Sequence, residues 1–497
     1  MKSASNCRIR LMTSKTQALW RNGIMFNSIL AEMVPSLVWV LLATEQNGKV
    51  NLSKETSPEP YKPEKSDISE HPLFETVLLP TDFSDLSTAI ITSLIGIPGI
   101  RTLVLIHLLD TADSSARQQA DRQIAIQKEM ACRPDICMKV CVDVAPDGNI
   151  PAAILAASGM NNADLIVIGA RKGILSGSLL GQGATDILTH SKCHVLIMRW
   201  DQPSLFGLKK TGEESRTIIS KIIYPTDFSK PAHDALALLK RIRGVSEVVL
   251  LHVIRKPETD LGALENTVRE VEERLRRIQE EMKVAGIFAT ISIRYGNPCQ
   301  QICMAAVEEN ATMILMSRYG RMDYLMQVPL GRTTSSVAKT AKKPVLVIFS
   351  EIHLVIHVRE LSTDEFFFAE KIWLDYHATK SDPGRDRIFC VFVEETPVSV
   401  SRCKRHPDGL EVDGVFTWEE FRGKGYGRKA MEALITGCGN ETLYMHATLP
   451  LVRFYGSLGF VPILEKELPP TIRERYAWAM GELTGANVCP MKRIPKR

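Results

Sequence analysis

Long apolar runs are what this chain of 497 residues most clearly lacks. A membrane-spanning helix needs about 20 apolar residues in succession. The nearest candidate, Met33 to Ala43, is half that, carries Pro35 near its start and is bounded by Glu32 and Glu45. It has the length of a signal-peptide core, but no small-residue cleavage site follows it. A membrane is therefore not among the expected partners. An excess of one charge is lacking too: 61 Lys and Arg stand against 57 Asp and Glu, a net of +4. Nothing global points to nucleic acid. The 11 cysteines lack the paired spacing of a disulfide framework. Cys132, Cys137 and Cys141 cluster, yet no histidine or second Cys pair completes a zinc pattern. Cys299 and Cys303 are spaced one helical turn apart. Reduced thiols, no metal and a cytoplasmic location are the expectation.

What is present is a repeat. Pro80-Thr81-Asp82-Phe83-Ser84 recurs as Pro225-Thr226-Asp227-Phe228-Ser229, 145 positions later. Leu105-Ile106-His107-Leu108 recurs as Leu250-Leu251-His252-Val253 at the same offset. Leu180-Gly181 and His194-Val195-Leu196-Ile197 recur as Leu330-Gly331 and Pro344-Val345-Leu346-Val347 at an offset of 150. Four landmarks whose offset drifts by only five positions mean a duplicated domain, with a period too long for a solenoid. Four segments are expected: a poorly ordered extension and linker at 1–72, repeats at 73–201 and 216–350, and a third domain at 351–497. The linker reading rests on the Pro, Ser, Glu and Lys content of Asn51 to His71.

Each repeat reads as strands alternating with helices. A buried strand ends in Pro-Thr-Asp-Phe-Ser, with Ser84 or Ser229 placed to cap the next helix. Gly148-Asn149 and Gly296-Asn297 punctuate both copies before another helix. The last strands are Val195 to Arg199 and Val345 to Phe349. Such alternation predicts a parallel sheet covered on both faces. A duplicate of a self-associating domain keeps a symmetric contact. The two last strands, each an edge that needs cover, are the expected seam of an intrachain pseudo-dimer. Homo-oligomers of the whole chain stay open.

The Pro-Thr-Asp-Phe-Ser strand end, the strand carrying His107 or His252, and Ala163-Asp164-Leu165-Ile166-Val167-Ile168-Gly169 resemble the universal stress protein family in tandem. That resemblance implies an adenine nucleotide α-hydrolase-like fold. In its nucleotide-binding branch the Asp after the first strand faces adenine, and a Gly-x2-Gly-x9-Gly-Ser/Thr loop holds ribose and phosphates. The resemblance thus puts Asp82 and Asp227 at adenine, with Leu108 and Val253 lining the pocket, and ATP or AMP as ligand. The loops depart from the pattern. The first repeat offers Gly169, Gly173 and Gly181, with Gln182 in place of the hydroxyl. The second offers Gly320 and Gly331, with Arg332 in that place and Thr333 one residue late. Nucleotide binding stays open against a reading in which the Asp caps a helix and the glycines are turns.

The third domain holds the most specific signal, Arg422-Gly423-Lys424-Gly425-Tyr426-Gly427. It lies between an extended segment, Leu410 to Thr417, and a helical run from Arg428. A glycine-rich turn there leaves amides and the positive end of a helix dipole facing one anion. With Phe454-Tyr455-Gly456-Ser457-Leu458-Gly459-Phe460, the loop resembles the GNAT acyltransferase superfamily over roughly Leu354 to Pro462. The fold expected for the whole is α/β: two parallel-sheet domains followed by a mixed-sheet domain. The resemblance implies that Arg422, Gly425 and Gly427 hold the pyrophosphate of acetyl-CoA, with Gly423, Lys424, Tyr426 and Arg428 adding amides and charge. It further implies that Phe416 and Thr417 pair with the pantetheine amides, and that Tyr455 protonates the departing thiolate.

Glu411 and Asp413 are two apart on one strand, so they share a face, and either is a candidate base. Aromatics at Phe366, Phe367, Phe368 and Trp373 read as core of a helix from Asp364 to Thr379. The tail from Cys489, with Lys492-Arg493, reads as a solvated basic end. The function expected is acetyl-CoA-dependent N-acetyl transfer to a protein lysine or small amine, with the tandem repeats sensing or scaffolding. The alternative is a non-catalytic, nucleotide-responsive stress protein with a degenerate acyltransferase-like domain.

Overall fold

The computed structural model describes residues 73–495 apart from 110, 112, 131–132, 171–180, 200–216, 256–260, 377–378 and 483–486. The expected extension at 1–72 and Gly173 lie outside the described residues. The chain divides into two compact units, one holding both repeats up to Ser350 and the other holding Glu351–Arg497 with the segment Tyr324–Val328.

The first repeat runs β1 (Thr76–Pro80), α1 (Asp85–Ile95), β2 (Thr102–Leu109), α2 (Ser114–Met130), β3 (Cys137–Val144), α3 (Ile150–Met160), β4 (Leu165–Ala170), α4 (Gln182–His190), β5 (His194–Arg199). The second runs β6 (Lys221–Pro225), α5 (Lys230–Leu239), β7 (Glu247–Ile254), α6 (Leu261–Val284), β8 (Phe288–Tyr295), α7 (Pro298–Glu308), β9 (Met313–Ser317), a short α8 (Arg321–Leu325), α9 (Arg332–Thr340) and β10 (Val345–Ile348). The expected caps are present. Ser84 accepts from Ser87 N and Ser229 from Ala232 N, while Asn149 and Asn297 cap α3 and α7.

All ten strands form one sheet in the order β3-β2-β1-β4-β5-β10-β9-β6-β7-β8. Pairing is parallel inside each repeat and antiparallel only at β5 and β10, where Ile197 faces Val345 and Val195 faces Val347. The two last strands are thus the seam that the sequence predicts. Alternate residues feed opposite faces: Val77 and Leu79 enter one core and Leu78 the other. Arginines fasten the seam. Arg318 donates to the carbonyls of Pro329, Ser191 and Leu188, the last two at the carboxyl end of α4. Arg199 donates to the carbonyl of Ala338 in α9.

The other unit runs β11 (Ile356–Glu360), α10 (Phe367–Trp373), β12 (Asp386–Val393), β13 (Thr396–His406), β14 (Gly409–Thr417), α11 (Tyr426–Cys438), β15 (Leu443–Thr448), α12 (Val452–Gly456), β16 (Val461–Pro462), α13 (Pro470–Glu482) and β17 (Val488–Arg493). Its mixed sheet has the order β11-β12-β13-β14-β15-β17-β16. Two expectations need correction. The helix expected from Asp364 to Thr379 is only seven residues long: it starts late, because Thr363–Glu365 form a 3-10 turn in which the Glu365 carboxylate accepts from the Ser362 amide, and it ends at Trp373. Phe366 and Trp373 are core as expected, and Ile372 is buried with them, whereas Phe367 is 57% exposed. The basic tail is a strand: β17 lies between β15 and β16, and Met491 is fully buried. Its cations have local partners: Lys492 pairs with Glu467, and Arg493 donates from Nε to the Leu458 carbonyl.

Candidate functional site

The cleft of the mixed sheet arises from a failure of pairing. Parallel β14 and β15 pair only from Leu410–Leu443 to Val412–Met445, then run on to Thr417 and Thr448 without pairing to each other, while β15 keeps β17 as its partner. On its other side β14 stays paired with β13 through an irregularity between Val400 and Arg402. Gly414 sits at that irregularity, and its carbonyl accepts the Trp373 indole N–H at 2.8 Å. The bend holds Phe416 and Thr417 on a strand whose β15-facing edge has lost its partner. A β-edge of this kind recognises another amide-bearing chain.

The glycine loop joins the end of β14 to α11. Gly425 is the N-cap at φ 81°, a left-handed conformation that an L side chain resists, and no side chain caps the helix. Gly423 is left-handed as well. The first amides of α11 and its positive dipole end therefore face outward, and cations surround them. Arg422 rests over the Phe416 ring, with Nε 3.2 Å from the Thr417 carbonyl. Lys424 lies over Phe421, and Arg428 donates to Ser457 Oγ at 2.6 Å. Gly427 packs its backbone near Thr417 Oγ1. Tyr426 is placed differently from a loop donor: its ring is 4% exposed and packs on Phe421, so only its amide is available.

Tyr455, on α12, is 5% exposed and packs edge-on to Phe454. Its hydroxyl has no hydrogen-bond partner among the described residues, and burial pushes its pKa well above the usual phenol range. Tyr376 lies near enough to add to that rise, and itself packs on Phe416.

Glu411 and Asp413 do share a face, since Arg475 of α13 pairs with both, at 2.6 and 3.0 Å. Their surroundings differ. Asp413 accepts two bonds from Arg402, at 2.6 and 2.7 Å, and Arg402 also reaches Asp386. Glu411 is 1% exposed, 2.8 Å from His406 Nε2 and 3.5 Å from His446 Nε2. Burial first, then the charge of Asp413, raises the Glu411 pKa, with Arg475 opposing. Burial drives His446 down to about 4, so it is neutral at pH 7. Arg402, Arg475, His406 and His446 were not singled out from sequence. Arg402 carried a signal, since a charge in the apolar strand Val398 to Cys403 requires a buried partner.

The tandem repeats place Asp82 and Asp227 just beyond β1 and β6. Asp82 Oδ1 accepts from Ser84 N and from the hydroxyls of Ser84 and Ser87. The next residue is left-handed in both copies, Phe83 at φ 60° and Phe228 at φ 58°. That turn stacks Phe83 on His107 and Phe228 on His252, ring centroids 4.2 and 4.8 Å apart. Leu108 and Val253 are half-buried against the core. Gly169 packs on Leu86 and Ile90, and Gly181 and Gly331 are the N-caps of α4 and α9. Gln182 donates to Asp186 in its own helix, and Thr333 Oγ1 accepts from Arg255. Among the described residues no group of three or more His, Cys, Asp or Glu is placed to hold a metal.

The profile of the universal stress protein family matches residues 73–199 and 219–348. The chain belongs to the universal stress protein family. The acetyltransferase (GNAT) family matches residues 355–460, so two universal stress protein domains precede a C-terminal GNAT domain. Universal stress protein MJ0577 of Methanocaldococcus jannaschii is 32% identical over 152 residues, covering 26% of this chain and 93% of its own. A universal stress protein structure from Archaeoglobus fulgidus is 23% identical, covers 56% of this chain and 97% of its own, and has a TM-score of 0.41. The ribosomal-protein-S18-alanine N-acetyltransferase of Escherichia coli is 16% identical, covers 29% and 96%, and has a TM-score of 0.23. Among the described residues no helix is long and apolar enough to cross a membrane.

Proposed function

We propose that the GNAT domain of this universal stress protein transfers an acetyl group from acetyl-CoA to an amine, a protein lysine or a small molecule, in the cytoplasm. The observation that carries this reading is one continuous arrangement: β14 parts from β15 and leads into the glycine loop at the uncapped start of α11. The amides of Gly423 to Arg428, with Arg422 and Lys424, suit a pyrophosphate. The freed edge at Phe416 and Thr417 suits the pantetheine amides. Tyr455, protonated at neutral pH, is the acid for the departing thiolate. Of the two carboxylates Glu411 is the base, because Asp413 is held by two bonds to Arg402 and serves as its counter-ion. Glu411 lies beneath Arg475, so the proton reaches it through water rather than by contact. The tandem repeats scaffold or sense, with Asp82 and Leu108 as the adenine side of an ATP or AMP site in the first.

Acetyl-CoA titration of the full chain by calorimetry tests the reading. Arg422→Ala with Gly425→Glu removes a phosphate partner and puts a carboxylate at the helix start. Binding to the wild type and loss of at least about 100-fold affinity in the double variant are expected. Equal affinity in a folded double variant refutes the assignment.

A further inference from the structure

The carboxyl ends of parallel strands, facing the start of a helix, are where an α/β sheet takes an anion. In the second repeat that place is already filled. Helix α9 begins at Gly331, which offers no side-chain cap, and its first turn holds no acidic residue. The missing anion comes from α8. Asp323 Oδ2 accepts from the Arg332 amide at 3.2 Å, and Oδ1 lies 3.7 Å from Arg332 Nε. The Asp323 side chain is only 14% exposed, whereas that of Arg332 is 86% exposed. The fit is tight: a Cβ on Gly331 would stand 3.1 Å from Asp323 Oδ2 and 2.9 Å from the Arg318 carbonyl.

The strand side is filled as well. Asp227 Oδ2 accepts from the Arg321 amide at 2.7 Å, and Oδ1 accepts from Ser229 N at 3.0 Å. The Phe228 ring is sandwiched between His252 and the Arg274 guanidinium, which lies 4.2 Å from its centroid. A Cβ on Gly320 would lie 3.1 Å from Asp227 Oδ2 and 3.8 Å from Asp323 Oδ2, so the two carboxylates flank one point.

We propose that the second repeat is closed to phosphate-bearing ligands by its own chain, with Asp323 as the resident anion at the start of α9 and the Arg321 amide as the resident donor on Asp227. The inference rests on that repeat alone and is independent of acyl transfer. An incoming polyphosphate must displace a carboxylate tethered nine residues away, at an effective concentration in the millimolar range or above. It must also pass between two negative charges.

The experiment uses the full chain, with inorganic phosphate and ATP at millimolar concentration as probes. Amide hydrogen exchange in the peptide Gly331 to Thr340 is the readout, because it reports this site and not the first repeat. In the wild type neither probe slows exchange in the first turn of α9. Asp323→Ala vacates the cradle, and both probes then protect that turn with an apparent affinity about tenfold or more tighter. Asp323→Asn keeps the size and an acceptor while removing the charge, and falls between the two. The proposal is overturned if the wild type is protected as strongly as Asp323→Ala. It is equally overturned if both variants, folded by circular dichroism, respond as the wild type does.

Discussion

Replacing Arg318 with Met should loosen the seam between the repeats. Arg318 is 3% exposed, and among the described residues it pairs with no carboxylate. Its partners are three carbonyls, those of Pro329, Ser191 and Leu188, and burial lowers its pKa. Two of them terminate α4, where a cation also meets the negative end of the helix dipole. Met keeps the volume of the stem, so the loss is polar. Each buried acceptor left without a donor costs about 1–3 kcal/mol. The desolvation of a buried cation, about several kcal/mol, is relieved at the same time. The balance is a destabilisation of about 2–4 kcal/mol. Such a loss corresponds to roughly 30- to 1000-fold faster exchange where protection requires the seam to open. The amides to watch are those pairing Val195 to Ile197 with Val345 to Val347. Hydrogen exchange with mass spectrometry on the full chain measures them directly. Unchanged protection at β5 and β10 would mean that the strand pairing and its apolar cover hold the seam without the arginine.

Two further outcomes are expected in the GNAT domain. Tyr455→Phe should lower kcat for acetyl transfer by about 10- to 100-fold while leaving acetyl-CoA affinity within about twofold, by steady-state kinetics and calorimetry. Equal kcat would remove Tyr455 from the chemistry. Because the folded pKa of His446 is depressed from 6.5 to about 4, the unfolded chain binds the extra proton first as pH falls. Stability of this domain should therefore drop between pH 6.5 and 4, by up to about 3 kcal/mol, and the slope should flatten in His446→Gln. Urea titrations at several pH values, read by the fluorescence of buried Trp373, check the sign.

What the sequence disclosed follows from how local each determinant is. Pro-Thr-Asp-Phe-Ser was legible as a repeat because it encodes a self-contained turn: a Ser cap, a left-handed Phe and a ring stacked on the next strand's His. The glycine loop was legible because a left-handed N-cap restricts residue type whatever surrounds it. The shared face of Glu411 and Asp413 followed from the period of a strand. Their inequality did not. It depends on Arg402, brought opposite Asp413 by the β13–β14 register, and on Arg475, delivered by a helix 62 residues further on. The same limit explains β17, whose Lys492 and Arg493 read as solvated until Glu467 and the Leu458 carbonyl are in place. It also explains Arg332, which stands in the place of the loop's hydroxyl and which the structure sets beside Asp323. Periodicity states which face a side chain takes. The partner on that face is settled by register and by packing between distant segments, and in a cleft lined with charges the partner decides whether a carboxylate is a base, a counter-ion or a plug.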